Sequence, residues 1–231
     1  MAADNRPAAA PEQAAQVRAV VRHPRDPTRV RVTLEDGTFW DVDETTVAAF
    51  DLRPERCLEA TELAHLEAAA WVAWAWRRAL AWLQQRPYSE AELRRRLRRH
   101  GVPDTAVAAT LERLRSLGLL DDRAFAELLV RSRRRGRPRG RRALEAELRA
   151  RGIDETTARA ALAAEGGDEL DAARRAAARW RPRAHEDRTR ARRRLAQYLA
   201  RRGFDAGIIQ AVVAERLRES TPTDCDGPAP M

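Results

Sequence analysis

A 51-residue repeat constrains this chain more than any other feature of its sequence. One motif occurs three times, as ELRRRLRRHGV (92–102), ELRARGI (147–153) and YLARRGF (198–204). The three copies align without gaps on Gly101, Gly152 and Gly203. Self-similarity at a fixed period is typical of repeat proteins, in which each unit buries part of its surface against its neighbours.

The residues around each glycine predict a helical hairpin. Leucines lie eight and four residues before the glycines: Leu93 and Leu97, Leu144 and Leu148, Leu195 and Leu199. Two leucines four apart form an apolar stripe on one helix, and the glycine supplies the left-handed residue that ends it. An aspartate two or three residues later (Asp104, Asp154, Asp205) suits the cap of the next helix. Because another helical segment precedes each hairpin, every unit is predicted to contain three helices.

This pattern predicts the domain organisation. We expect a disordered leader (1–16), a small β-hairpin-containing module (17–58), a linking helix with the first repeat (59–121), a second repeat (122–166), a third repeat (167–218) and a disordered tail (219–231). The predicted fold class is mainly α, an elongated array of three tandem three-helix repeats with a small N-terminal β-hairpin module.

The N-terminal module carries the strand signals of the chain. Alternating β-branched residues and an Asp-Gly turn before FWDV predict a two- or three-stranded hairpin, with 51–57 as a connector. A helix from about 61 to 84 then places Trp71, Trp74 and Trp82 near one face. We interpret this stripe as packing that docks the module onto the rest of the chain; the alternative is a stacking surface for bases.

Positive charge is concentrated on one element of each repeat. All 44 basic residues are arginine, which excludes chemistry that needs a lysine. Residues 90–100 carry +3, residues 131–151 carry +8 and residues 181–202 carry +7. Together they hold +18 in a chain of net charge +9, so the remainder carries −9. Three equivalent basic elements predict a stripe suited to a polyanionic track such as a nucleoprotein filament.

A helix-turn-helix reader of duplex DNA has a similar outline of helix, glycine turn and helix. Its second helix should present Arg, Asn or Gln to base edges. Here the helices after the turns begin PDTAVAAT, DETTARAA and DAGIIQAV, which are neutral or acidic and poor in such groups. Sequence-specific DNA recognition is therefore not expected.

Longer phrases of the chain resemble a known family. RPYSEAELRRRLRRHGV, LERLRSLGLLDDRAFAELLVRSR and GRRALEAELRARGI are similar to the RecX family of bacterial regulators of the RecA recombinase. The resemblance covers about 78–218, is strongest over 86–153 and is looser in the third unit. It implies a regulatory protein that binds in the helical groove of the RecA filament on DNA and inhibits RecA ATPase, strand exchange and coprotease activity. Such a protein modulates homologous recombination, DNA repair and the SOS response.

The candidate binding residues come from charge clustering and not from the family, which has no catalytic residue to carry over. They are Arg94, Arg95, Arg98, Arg99, Arg131, Arg133, Arg134, Arg135, Arg137, Arg139, Arg141, Arg142, Arg192, Arg193 and Arg194. The expected partners are the RecA filament and single- and double-stranded DNA, bound without sequence specificity. The alternative function is a protein that binds or coats nucleic acid directly and competes for it.

An enzyme is not expected. The histidines are scattered, no nucleophile motif or glycine-rich phosphate loop is present, and Cys57 and Cys225 lack metal-ligand spacing. We therefore expect neither a cofactor nor a metal site. The most apolar run, 68–76, is too short to span a bilayer, and no secretion signal opens the chain. The expectation is a cytoplasmic monomer that does not contact a membrane.

Overall fold

A short β-sheet precedes a run of α-helices in this computed structural model, which describes residues 6–24, 26–165 and 167–218. The strands are β1 (Ala15–His23), β2 (Asp26–Leu34), β3 (Phe39–Val42) and β4 (Cys57–Leu58). The helices are α1 (Glu44–Ala49), α2 (Ala60–Leu83), α3 (Glu90–Arg99), α4 (Asp104–Ser116), α5 (Asp122–Arg135), α6 (Arg141–Ala150), α7 (Glu155–Ala164), α8 (Glu169–Ala178), α9 (Arg188–Arg201) and α10 (Ala206–Arg218). The mainly α fold with a small N-terminal strand module is confirmed.

The chain divides into two compact units between Asp121 and Asp122. The first holds the sheet and α1 to α4, and the second holds α5 to α10. The first five residues of the predicted leader and the whole predicted tail, 219–231, lie outside the described residues. Within the described part of the chain, no helix combines the length and the hydropathy needed to cross a membrane.

The N-terminal sheet is antiparallel with strand order β3-β2-β1-β4. The prediction of two or three strands was wrong, because Cys57–Leu58 pairs with Ala15 and Gln16 as a fourth strand. Two residues are too few to show the alternation by which a strand is predicted. The sheet also reaches into the predicted leader, where the Trp40 indole N–H donates to the Ala8 carbonyl oxygen over 2.8 Å.

Helix α2 joins the sheet to the first repeat. Its N-terminal half buries Leu63 and Leu66 against the sheet, and its C-terminal half buries Trp74 and Trp82 in the core of the first repeat. Trp71 is only half-buried and meets Trp74 edge to face, with ring centroids 6.0 Å apart. The interpretation of these tryptophans as packing is therefore confirmed, but the prediction that they dock the N-terminal module was wrong: they pack within the first repeat, and Leu63 and Leu66 contact the sheet.

Each repeat is a three-helix unit with its own core. The first is formed by the end of α2 with α3 and α4, the second by α5 to α7 and the third by α8 to α10. The six leucines predicted from the repeat are all buried. Gly101, Gly152 and Gly203 have φ of 81°, 85° and 80°, the left-handed conformation predicted for the residue that ends the helix.

The predicted cap is confirmed at Asp154 and wrong at Asp104. The Asp154 carboxylate accepts from the Thr157 backbone N–H over 2.9 Å and caps α7. Asp104 is instead the first residue of α4, whose N-cap is Pro103, so the predicted cap is wrong there. Asp205 directly precedes α10, where its backbone carbonyl oxygen accepts from the Ile209 N–H over 2.9 Å, and its carboxylate forms an ion pair with Arg142 at 2.6 Å.

The second and third repeats meet where α6 begins and α9 ends. The Gly140 backbone N–H donates to the Arg202 carbonyl oxygen over 2.9 Å, and the Arg142 N–H donates to the Gly203 carbonyl oxygen over 3.3 Å. The Arg141 N–H donates to a Glu169 carboxylate oxygen at 2.8 Å. These bonds satisfy backbone N–H groups at the start of α6 that have no partner within the helix.

Candidate functional site

The first-repeat arginines lie along α3, which begins at a capping box between Ser89 and Glu92. Arg94 forms an ion pair with Glu90 one turn earlier, and the Arg98 Nε donates to Asp104 over 2.7 Å. Arg95 and Arg99 are exposed and form no ion pair or hydrogen bond through their side chains within the described residues. Only part of the predicted charge of this helix is therefore available to a partner.

A cavity of about 380 Å³ gathers most of these groups on one side of α3. Arg95, Arg98 and Arg99 line it, together with Arg96, which the sequence interpretation omitted. The Arg96 guanidinium lies 4.3 Å from the ring centroid of Trp82, a buried residue of α2. The spacing of Arg95, Arg96 and Arg99 along the helix was visible in the sequence, but the aromatic surface under Arg96 was not.

In the second repeat, arginines at the end of α5 are hydrogen-bonded to groups distant in the sequence. Arg131 donates to both carboxylate oxygens of Glu165 over 3.1 Å, and Arg134 donates to the Gly167 carbonyl oxygen over 3.0 Å. Arg133 donates to Glu147 of α6 over 2.7 Å. These side chains connect the elements of the second unit, which the charge count could not reveal.

Glu147 is the centre of the largest of these networks. Besides Arg133 it accepts from Arg139 at 3.0 Å and from Arg151 at 3.3 Å, and its side chain is 14% exposed. Hydrogen bonds from Arg133, together with the charges of the other two arginines, hold the pKa of the Glu147 carboxyl below its usual range. The carboxylate therefore stays ionised at neutral pH and cancels part of the local positive charge.

The remaining second-repeat candidates fall into two groups. Arg141 pairs with Glu145 over 2.8 Å, one turn along α6, and Arg142 pairs with Asp205. Arg135 and Arg137 are exposed and make no such bond through their side chains in the described part of the chain. Arg135 ends α5, and Arg137 lies in the loop before α6, so the two free arginines follow one another along the surface of this repeat.

The third-repeat arginines lie near the start of α9. Arg194 forms an ion pair with Glu186, which lowers the pKa of that carboxyl, and its guanidinium lies 5.6 Å from the ring centroid of Trp180. Arg192 and Arg193 are exposed, and no described residue pairs with either side chain. Arg193 and Arg194 also line a cavity of about 390 Å³ along α9.

The candidate arginines are thus of two kinds. Arg94, Arg98, Arg131, Arg133, Arg134, Arg139, Arg141, Arg142 and Arg194 are held by carboxylates or carbonyl oxygens of the chain itself. Those without such a partner among the described residues are Arg95, Arg99, Arg135, Arg137, Arg192 and Arg193, which we call the free arginines. Every repeat contributes a pair of them. No group of three or more His, Cys, Asp or Glu with the geometry of a metal site occurs in the described ranges.

Comparison with known proteins identifies the family. Family models described as the first, second and third three-helix domains of RecX match residues 75–114, 121–162 and 167–213. The regulatory protein RecX of Thermobifida fusca is 42% identical over 153 residues, which are 64% of this chain and 80% of that protein. The chain belongs to the RecX family.

A second RecX relative, from Prosthecochloris aestuarii, is 37% identical over 143 residues, 61% of this chain and 91% of that protein. A crystal structure of regulatory protein RecX has the same fold, with a TM-score of 0.67 at 23% identity, covering 86% of this chain and 98% of that chain. RecX from Lactobacillus salivarius gives a TM-score of 0.57 at 21% identity, over 64% and 97% of the two chains. The three-helix repeats are therefore the RecX domains, as the sequence resemblance implied.

Proposed function

We propose that this protein regulates RecA by binding in the helical groove of the RecA nucleoprotein filament, where it inhibits ATP hydrolysis, strand exchange and coprotease activity. In this role it modulates homologous recombination, DNA repair and the SOS response in the cytoplasm. It acts as a monomer and by binding alone, without a catalytic residue or cofactor. Membership of a family whose relatives are named regulatory proteins supports the proposal.

The observation that carries this function is the pair of free arginines on each repeat. Arginines that are already paired with a carboxylate inside the chain contribute little attraction to a partner, because their charge is cancelled nearby. Exposed guanidinium groups without a partner keep their full charge and their planar set of donors for phosphate or carboxylate oxygens. Three repeats that each carry such a pair suit a long polyanionic partner better than a small one.

Direct binding to nucleic acid is the alternative function, and the same free arginines favour it. Non-specific DNA binding depends mainly on neutralised phosphates, so a coat on bare DNA needs no contact with RecA. Both functions weaken with salt, so salt sensitivity does not separate them. Dependence on RecA does.

The deciding experiment measures the single-stranded-DNA-dependent ATP hydrolysis of RecA with rising amounts of this protein, and its affinity for the same DNA without RecA. Inhibition at protein concentrations well below those that saturate bare DNA supports a filament target. Inhibition that begins only when the DNA itself is saturated supports the coating function and contradicts the proposal.

Two matched variants test the role of the free arginines. The first replaces all of them by Gln: Arg95, Arg99, Arg135, Arg137, Arg192 and Arg193. The control replaces the same number of exposed arginines that are paired within the chain: Arg22, Arg53, Arg115, Arg123, Arg159 and Arg174. Because both lose the same charge, loss of inhibition in the first variant alone assigns the effect to the free arginines.

A further inference from the structure

The cavity beside α3 contains an arginine, Arg96, that is fixed in its wall by two buried aromatic residues and forms no ion pair with a described residue. Arg96 lies 4.3 Å from the Trp82 ring centroid and donates a hydrogen bond to the Tyr88 hydroxyl. Trp82 and Tyr88 are 6% and 5% exposed, so both belong to the core. The guanidinium of Arg96 is therefore held in one position before any ligand arrives, which reduces the entropy lost on binding.

The charge around Arg96 is not balanced by carboxylates. Glu92 is the acidic residue of the cavity wall, and it is engaged by Arg86 at 3.2 Å and by the Ser89 backbone N–H at 3.3 Å. Arg95 and Arg99 line the same cavity. Neither they nor Arg96 form an ion pair with a described residue. Three guanidinium groups thus converge on a space of about 380 Å³, which is within the usual size range of a small-ligand site.

The internal repeat provides a comparison for this position. The residue 51 positions after Arg96 is Glu147, and the residue 51 positions further on is Tyr198. In the second repeat the equivalent site therefore holds a carboxylate, which is bound by Arg133, Arg139 and Arg151. The second repeat supplies its own anion at this position, whereas the first repeat presents a fixed cation there. An external anion would supply the negative charge that the first repeat lacks beside Arg96.

We propose that the α3 cavity is a phosphate-binding site, in which Arg96 forms the fixed floor and Arg95 and Arg99 close around phosphoryl oxygens. A phosphate group offers three strong acceptor oxygens and up to two charges, so several guanidinium groups can share it; a carboxylate offers only two oxygens. The site would accept closely spaced phosphoryl groups, either from a nucleic-acid backbone or from a free nucleotide or pyrophosphate. This inference deepens the proposed function and rests on it for the choice of phosphate as the anion.

The test measures binding of inorganic pyrophosphate to the full chain by titration calorimetry at low ionic strength. Arg96→Met keeps an apolar side chain on Trp82 but removes the charge, and it should weaken binding about tenfold or more, the effect of losing one charge-assisted hydrogen bond. Arg53→Met is the control, since Arg53 is an exposed arginine of the same unit that pairs with Asp51 outside the cavity. It should bind pyrophosphate as the wild type does.

A second variant keeps the proposal testable if Arg96→Met folds poorly. Tyr88→Phe retains the buried ring and removes only the hydroxyl that orients Arg96, so binding should weaken by roughly two- to tenfold. Circular dichroism and the thermal midpoint verify that each variant is folded. Equal pyrophosphate affinity in the wild type and in folded Arg96→Met would overturn the phosphate site. A wild-type protein that binds a hexaglutamate peptide as tightly as pyrophosphate would overturn it too.

The source of the phosphate is tested with a dodecathymidylate strand. If Arg96→Met lowers the affinity for this strand and for pyrophosphate by the same factor, the site binds nucleic-acid backbone. If it lowers the affinity for pyrophosphate alone, the site binds a free phosphate compound. RecA ATP hydrolysis is measured in parallel. If the wild-type protein binds pyrophosphate but does not inhibit RecA ATP hydrolysis, the result contradicts the proposed function and still supports the phosphate site.

Discussion

Gly140 and Gly203 meet backbone to backbone at the junction of the second and third repeats. A Cβ atom on Gly140 would lie 2.3 Å from the Gly203 carbonyl oxygen, and one on Gly203 would lie 2.3 Å from the Ala143 backbone nitrogen. Gly203 also needs glycine for its φ of 80°. Gly140 has a φ of −74°, which any residue can adopt, so it needs glycine for space alone. The close approach lets α6 begin against the turn that ends α9.

Gly140→Ala should therefore destabilise the second unit through steric overlap. We expect the free energy of unfolding to fall by about 1–3 kcal/mol, the usual cost of forcing an extra methyl into a packed interior. Gly207→Ala is the control, since nothing lies within 4 Å of a Cβ at that helical position. It should leave stability unchanged or raise it by up to about 1 kcal/mol. Urea denaturation followed by circular dichroism measures both, and equal midpoints would contradict the packing described.

Leu148→Ala tests the core of the second repeat. Leu148 is fully buried among residues of α5, α6 and α7, so truncation should leave a cavity and lower the free energy of unfolding by about 2–5 kcal/mol. Leu128 of α5 is 43% exposed and provides a leucine of the same unit outside the core. Leu128→Ala should cost much less. Thermal unfolding of the two variants in one buffer compares them, and a similar loss in both would show that the second repeat does not pack around Leu148.

Stability should decrease in acid because ion pairs hold Glu147. The lowered pKa of this carboxyl means that the folded state binds its proton less readily than the unfolded state does. Its contribution to stability is complete above the unfolded pKa, which is near 4.5, and is lost as the pH falls through the lower folded pKa. Unfolding free energies from pH 7 to pH 3 should show this decline.

Glu147→Gln identifies the residue responsible. It should lower stability at pH 7, because Arg133, Arg139 and Arg151 lose their shared carboxylate, and should make the decline toward pH 3 shallower. Glu112→Gln is the control, since Glu112 is 66% exposed and pairs only at the surface with Arg115. A profile of Glu147→Gln that runs parallel to the wild type would exclude Glu147 as a source of the pH dependence.

Free arginines should determine how steeply DNA binding depends on salt. Replacing Arg135 and Arg137 by Gln removes two exposed cations, so the slope of log K against log salt for single-stranded DNA should become shallower by about 1.4, at roughly 0.7 for each lost phosphate contact. Replacing Arg22 and Arg53, which pair with Glu44 and Asp51, should change the slope little. Fluorescence anisotropy over about 50–300 mM salt measures this slope for each variant. Equal slopes in the two double variants would show that ion pairing within the chain does not decide which arginines reach DNA.

Features that depend on neighbouring residues could be predicted from the sequence. The 51-residue period, the paired leucines and the left-handed glycines follow from contacts within a turn or two of helix, so Leu97 and Gly101 could be assigned from local spacing. The family could be recognised for the same reason, since the long segments that resemble RecX contain these locally determined motifs.

Which charges remain available to a partner depends on contacts between segments that are distant in the sequence. Arg131 is hydrogen-bonded to Glu165, 34 residues away, whereas Arg135 on the same helix forms no hydrogen bond or ion pair with a described residue, and nothing in the composition of α5 distinguishes the two. The fixed position of Arg96 likewise depends on Trp82, which belongs to a different helix. Ion pairs and stacking between distant segments depend on how whole helices pack. The tertiary structure therefore determines which arginines are available to form a binding surface.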